Sequence, residues 1–179
     1  MNAQPTILTE ALLDELKARW REQGAPIAGQ LQPGIDDATM AEITAPLGLT
    51  VPSEARTWYR WHNGATETEG RTDAKMGGMG WRFLSLQRSI ALVHKHRGLA
   101  LEAWNGDQTQ AKRGFWWTWL PLADNPHGGV MFVDGSAAPD PPKTPVRYTE
   151  REFDAAAGTE PRTSRHLVDR GHRHRSIRI

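Results

Sequence analysis

What most constrains the fold of this 179-residue chain is a change of hydrophobic period partway along it. In the first half apolar residues recur at three- and four-residue steps, as one face of a helix requires; later they gather in short aromatic and β-branched runs, as strands require. Thr9 is placed to cap a first helix with Leu12, Leu13, Leu16 and Trp20 on one face, and Gly24 to end it. After a Pro- and Gly-containing segment, residues 25–34, Asp36 or Asp37 can cap a second helix bearing Met40, Ile43 and Leu47, which Pro46 should kink or shorten. Residues 49–52 are a short link. Ser53 and Glu54 then open a third helix running through Trp58, Tyr59 and His62, stopped by Asn63 and Gly64. Residues 65–80 are polar and glycine-rich and read as a long loop. Residues 81–84 read as a short strand, and Ser85 can cap a fourth helix with Leu86, Ile90 and Val93 inward, fading near Arg97 and Gly98. Residues 99–104 carry no single period. Beyond a polar loop, residues 115–120, 129–134 and 146–148 read as successive strands divided by Pro, Gly and Asp turns. Helices first and strands later predict an α+β fold, a single domain in which N-terminal helices precede a twisted, mostly antiparallel sheet of short strands.

Leu, Ile, Val and Phe together number only 32, a share that would suggest disorder at high net charge. The formal charge is +1, however, and eight Trp supply bulky apolar surface in place of the missing aliphatics. The absence of Cys excludes disulfides, thiolate zinc sites, iron–sulfur clusters and a cysteine nucleophile. Residues 1–10 lack a basic segment followed by an apolar run, and nowhere do 18 apolar residues follow one another, so the expectation is a cytoplasmic protein with no membrane association. Charge is unevenly spread: residues 162–178 hold six Arg against one acid, a net +5, while residues 1–161 hold 16 basic and 20 acidic residues, a net −4.

One stretch carries a recognisable pattern. Ile43-x-x-x-Leu47-Gly48-x-x-Val51-Pro52 leads into Trp58-Tyr59-Arg60-Trp61-His62-Asn63-Gly64; Gly80-Trp81-Arg82-Phe83-Leu84-Ser85-Leu86 follows, then Trp119-Leu120-Pro121-Leu122 and residues 129–134. In order and spacing these motifs resemble the SUKH superfamily, over roughly residues 32–148, with Gly48, Pro52, His62, Asn63, Gly64 and Pro121 as its structural positions. The resemblance implies an α+β scaffold known mainly in bacterial immunity proteins that bind and neutralise partner toxins, often nucleases, and in eukaryotic regulators of cell-wall synthesis. It supplies no catalytic residues. On this basis the chain divides into an N-terminal helix and linker (1–31), a SUKH-like domain (32–158) and a basic, flexible tail (159–179). Two departures stand out. Residues 150–157 offer only Phe153 and alanines where members often carry a closing helix, and the turn that commonly carries acids reads Asp124-Asn125-Pro126-His127-Gly128-Gly129, leaving the acidic contact mainly to Asp124.

Among chemistry-bearing residues the structural reading usually prevails. Trp58, Trp61, Trp81, Trp116, Trp117 and Trp119 suit an interface, since Trp anchors partner contacts, but a chain short of aliphatics needs most of them in its core. If on a strand, Trp116 and Trp117 point to opposite faces, and one becomes the surface candidate. His62 has the titration range of a catalytic base, yet at a helix end its ring suits the dipole and the free carbonyls. His94 and His96 cannot share a helix face, and His172 and His174 sit among arginines, so no metal is expected. The glycine run at residues 76–80 precedes a strand rather than a helix and lacks a phosphate-binding context. Residues 162–178 can neutralise phosphates weakly and without sequence preference, or remain a solvated end. The expectation is therefore a non-enzyme without cofactor: an immunity protein binding a basic toxin domain such as a nuclease, through Trp61, Asp73, Trp81, Asp107 and Asp124. The alternatives are a regulatory scaffold in cell-wall synthesis or signalling, and a nucleic-acid-associated protein acting through the Arg-rich tail.

Overall fold

The structure, a computed structural model, describes residues 8–66, 75–76, 80–113, 117–136 and 146–149. Several of its helices begin where a side chain satisfies a free amide of the first turn. Thr9 Oγ1 accepts from the Leu12 amide at 3.3 Å to start α1 (Glu10–Glu22), and Gly24, at φ +65, follows its end. Asp36 caps α2 (Asp37–Thr44) through the Thr39 amide at 2.7 Å. The chain then tightens into a 3-10 turn, Ala45–Leu47, which takes up Pro46 and ends at Gly48 with φ +63. α3 (Ser53–Trp61) stops one residue earlier than its pattern predicts, because His62 is already extended at φ −152, ψ 135.

That early stop begins a strand. β2 (His62–Ala65) pairs antiparallel with β1 (Leu31–Pro33) across a bulge, forming a small two-stranded sheet where loop and helix terminus were expected. The larger sheet has five strands in chain order: β3 (Lys75–Met76), β4 (Trp81–Phe83), β5 (Trp119–Asp124), β6 (Val130–Asp134) and β7 (Arg147–Thr149). Every pairing in it is antiparallel, so the α+β architecture and the order of its parts are as predicted.

Between β4 and β5 the structure corrects two local expectations. α4 (Leu86–Ala103) continues well past Gly98 instead of fading, and α5 (Gln108–Arg113) occupies the segment read as polar loop, its first turn held by Asp107 Oδ1 accepting from the Thr109 and Gln110 amides. Of the strand expected at residues 115–120, residues 115–116 lie outside the described residues and β5 begins at Trp119. The Trp117 carbonyl is engaged by Arg97 Nη2 at 2.7 Å, and residues 117–118 form a turn into β5.

Leu13, Ile27, Met40, Trp58, Tyr59, Phe83, Leu86, Leu120 and Val133 form the main core between helices and sheet. On the strands the alternation is visible: Leu120 and Val133 join this core, while Trp119 stacks on Phe132 in a second cluster with Val130. Tyr59 is wholly buried, its hydroxyl 3.0 Å from Ser89 Oγ and 3.2 Å from the Pro121 carbonyl oxygen, and burial raises its pKa far above the ordinary tyrosine value. Among the described residues no helix is long and apolar enough to cross a membrane.

Candidate functional site

Two of the positions carrying the resemblance, Asn63 and Gly64, meet at one junction, where β2 reaches the start of α4. Asn63 Oδ1 accepts from the Leu86 amide at 2.7 Å while its Nδ2 donates to Gln87 Oε1 at 3.0 Å, so Asn63 caps α4 from another element, beside the local cap Ser85. Gly64 makes this approach possible. Its φ is +79, and a Cβ there would lie 2.3 Å from the Ser85 amide nitrogen, so any side chain would drive β2 and α4 apart. Pro52 precedes α3, and Pro121 lies in β5 with its carbonyl facing Tyr59.

His62 ties a second joint. Its Nε2 is 2.8 Å from Lys17 Nζ of α1 and its Nδ1 is 2.6 Å from the Gln32 carbonyl of β1. Lysine can only donate and a carbonyl only accept, so the ring carries its proton on Nδ1 and is neutral. Burial, reinforced by the neighbouring Lys17 charge, holds its pKa below the ordinary histidine value. The expected surroundings were a helix dipole and a free helix-end carbonyl; the structure gives His62 a strand carbonyl instead, because it has already left the helix. The ring edge rests on Trp61, 4.4 Å between centroids.

The residues expected to touch a partner do not gather in one place. Trp61 is half-buried, packed against Trp20 and Trp58, with its indole N–H donated to Asp14 Oδ1 at 2.8 Å. Trp81 is 5 % exposed and belongs to the core, and Asp124 is 8 % exposed. Asp124 holds Arg82 from the opposing strand in a two-point pair, Nε–Oδ1 2.8 Å and Nη2–Oδ2 2.6 Å. Asp107 is exposed and serves as the α5 cap; Asp73 lies outside the described residues, as do Trp116, residues 77–79 of the glycine run and residues 150–179. Trp117 lies under Arg97, whose guanidinium is 4.8 Å from the ring centroid and also donates to the Leu47 carbonyl at 3.0 Å. His94 is exposed and His96 buried, the opposite-face arrangement their spacing predicts, and among the described residues no group of three or more His, Asp or Glu could hold a metal.

Sequence reasoning missed a groove of about 360 Å³ between the outer face of α4 and the β5–β6 turn. Arg88, Leu92 and Lys95 line one side and Arg82, Asp124 and Asn125 the other. The signal was present, since residues 88, 91, 92 and 95 recur at helical spacing, but attention to the apolar face of α4 hid it. Asn125 Oδ1 accepts from the His127 and Gly129 amides at 2.9 and 2.8 Å, which presets the turn forming the groove's far wall. Compared with known proteins, the sequence matches no family model and no curated protein.

Proposed function

We propose that this chain is a non-catalytic protein-binding module of the immunity type, which covers a partner toxin domain and neutralises it by steric blockade. The observation that carries the proposal is where the signature residues go. Asn63 and Gly64 seat α4, His62 ties α1 to β1, Gly48 closes the turn after α2, and Pro121 stands opposite Tyr59. Residues so used build a scaffold and leave recognition to surfaces that can vary around it. The net −4 of residues 1–161 suits a basic partner such as a nuclease, whose encounter it would accelerate. Of the residues expected at the contact, Trp61 at the α1–α3 surface and Asp107 at the start of α5 remain accessible to a partner.

The test is co-purification of the tagged chain from its own host at moderate salt, followed by co-expression with whatever elutes. A single stoichiometric partner that stops growth alone and permits it together with this chain is the expected result. Elution with only cell-wall or signalling proteins, or only with nucleic acid that releases steeply as salt rises, would overturn it in favour of the corresponding alternative.

A further inference from the structure

The chain holds four Asn, and two of them, Asn63 and Asn105, precede a glycine. An Asn-Gly pair carries a latent reaction: the glycine amide nitrogen can attack the carboxamide carbon of the preceding side chain, because no Cβ on the glycine stands in its way. The structure treats the two pairs differently. At Asn63 the carboxamide is held at both ends, Oδ1 by the Leu86 amide at 2.7 Å and Nδ2 by Gln87 Oε1 at 3.0 Å, and the space beside Gly64 is filled, since a Cβ there would lie 2.3 Å from the Ser85 nitrogen. Asn105 and Gly106 are both exposed, just beyond the end of α4 at Ala103, and a Cβ on Gly106 would meet no described atom within 4 Å. Their backbones are left-handed, at φ +49 and +82. The Gly106 amide donates to the Leu101 carbonyl at 2.7 Å, a bond at an exposed helix end, where fraying costs far less than global unfolding. Asn125 precedes Pro126, whose nitrogen has no proton to lose.

We infer that Asn105–Gly106 is a site of spontaneous deamidation in the folded chain, and that the fold protects the identical pair Asn63–Gly64. When the turn after α4 frays, the Gly106 nitrogen gives its proton to solvent base and bonds to Asn105 Cγ; the C–N bond of the carboxamide breaks, ammonia leaves, and an imide ring closes. Water then adds to one of the two imide carbonyls and reopens the ring, either to aspartate or to isoaspartate, whose main chain runs through the former side chain. Either product adds one negative charge at the C-terminal end of α4, where the helix carbonyls disfavour it. Isoaspartate also lengthens the backbone by one methylene shortly before Asp107, whose Oδ1 accepts from the Thr109 and Gln110 amides to hold the first turn of α5. The modification therefore reaches α5 through its cap.

The test is incubation of the full chain at mildly alkaline pH, folded and in parallel in guanidinium chloride, followed by trypsin digestion and mass spectrometry of residues 61–71 and 98–112, the two peptides that separate the pairs. In the folded chain the 98–112 peptide should gain its aspartate and isoaspartate forms at least about tenfold faster than the 61–71 peptide, and in denaturant, where the fold protects neither pair, the gap should close to a few-fold. Asn105→Gly, which suits the left-handed backbone, should remove the acidic species that accumulates in the folded chain and keep the wild-type unfolding midpoint. Equal rates at the two pairs in the folded chain would overturn the inference, as would a gap of the same size in denaturant, which would trace it to neighbouring residues. A 98–112 peptide that reacts only in denaturant would overturn it too, the Leu101–Gly106 bond then sealing the site, and so would the absence of reaction in both states.

Discussion

The two faces of α4 are built on opposite principles. The inner face, with Leu86, Ser89, Val93 and His96 buried, meets the sheet and the β2 junction, where Asn63 satisfies an amide of the helix's first turn. The outer face presents Arg88, Ala91 and Lys95 to solvent. On the first face, polar atoms are shielded from water and each lost partner costs its full desolvation; on the second, water replaces whatever is removed. One helix therefore combines an intolerant joint with a more tolerant solvent-facing side.

Four measurements would break or sharpen that contrast. Gly64→Ala should have the largest effect, about 3 kcal/mol of lost stability in urea unfolding, because it combines a left-handed φ with a backbone clash. If this variant unfolds at the wild-type midpoint, the β2–α4 joint is not tight. Asn63→Ala should cost about 2 kcal/mol by leaving the Leu86 amide without its acceptor, whereas Asn63→Asp should recover part of that loss through the same acceptor geometry.

The third concerns pH. Since burial depresses the His62 pKa in the folded chain, the unfolded chain takes up the proton first, from about pH 6.5 downward. Stability should hold above that value and fall as pH drops from there toward the folded-state pKa, as protonation of Nε2 opposes the Lys17 ammonium. His62→Gln should flatten this dependence between pH 7.5 and 5.5; an unchanged slope would remove His62 as its source. Smallest is the outer face, where Arg88→Glu with Lys95→Glu should shift stability by no more than about 0.5 kcal/mol. A larger loss there would erase the distinction between the faces.

The comparison also explains which features could be read before any coordinates. Thr9 and Ser85 were identifiable as caps, and Asp36 as one of two adjacent candidates with Asp37, because each bonds an amide three residues ahead, a relation contained in a few residues of chain. Strands β4 to β7 of the large sheet were recognisable within a few residues from β-branched and aromatic runs, whereas β3 falls in the segment read as a loop. The small sheet was not, because β1 owes its extension to a partner some 30 residues away. The groove was equally hidden, its walls coming from β4, α4 and the β5–β6 turn.

Local pattern alone thus established the α+β class, the order of helices before strands and where several helices start. Tertiary structure alone decided that His62 is neutral and bound to Lys17 and Gln32, that Asp124 pairs with Arg82 of the opposing strand, and that Asn63 caps a helix it does not belong to. The reason is physical: capping and periodicity depend on neighbours along the chain, whereas a protonation state or a cross-strand ion pair depends on which distant groups the fold brings together.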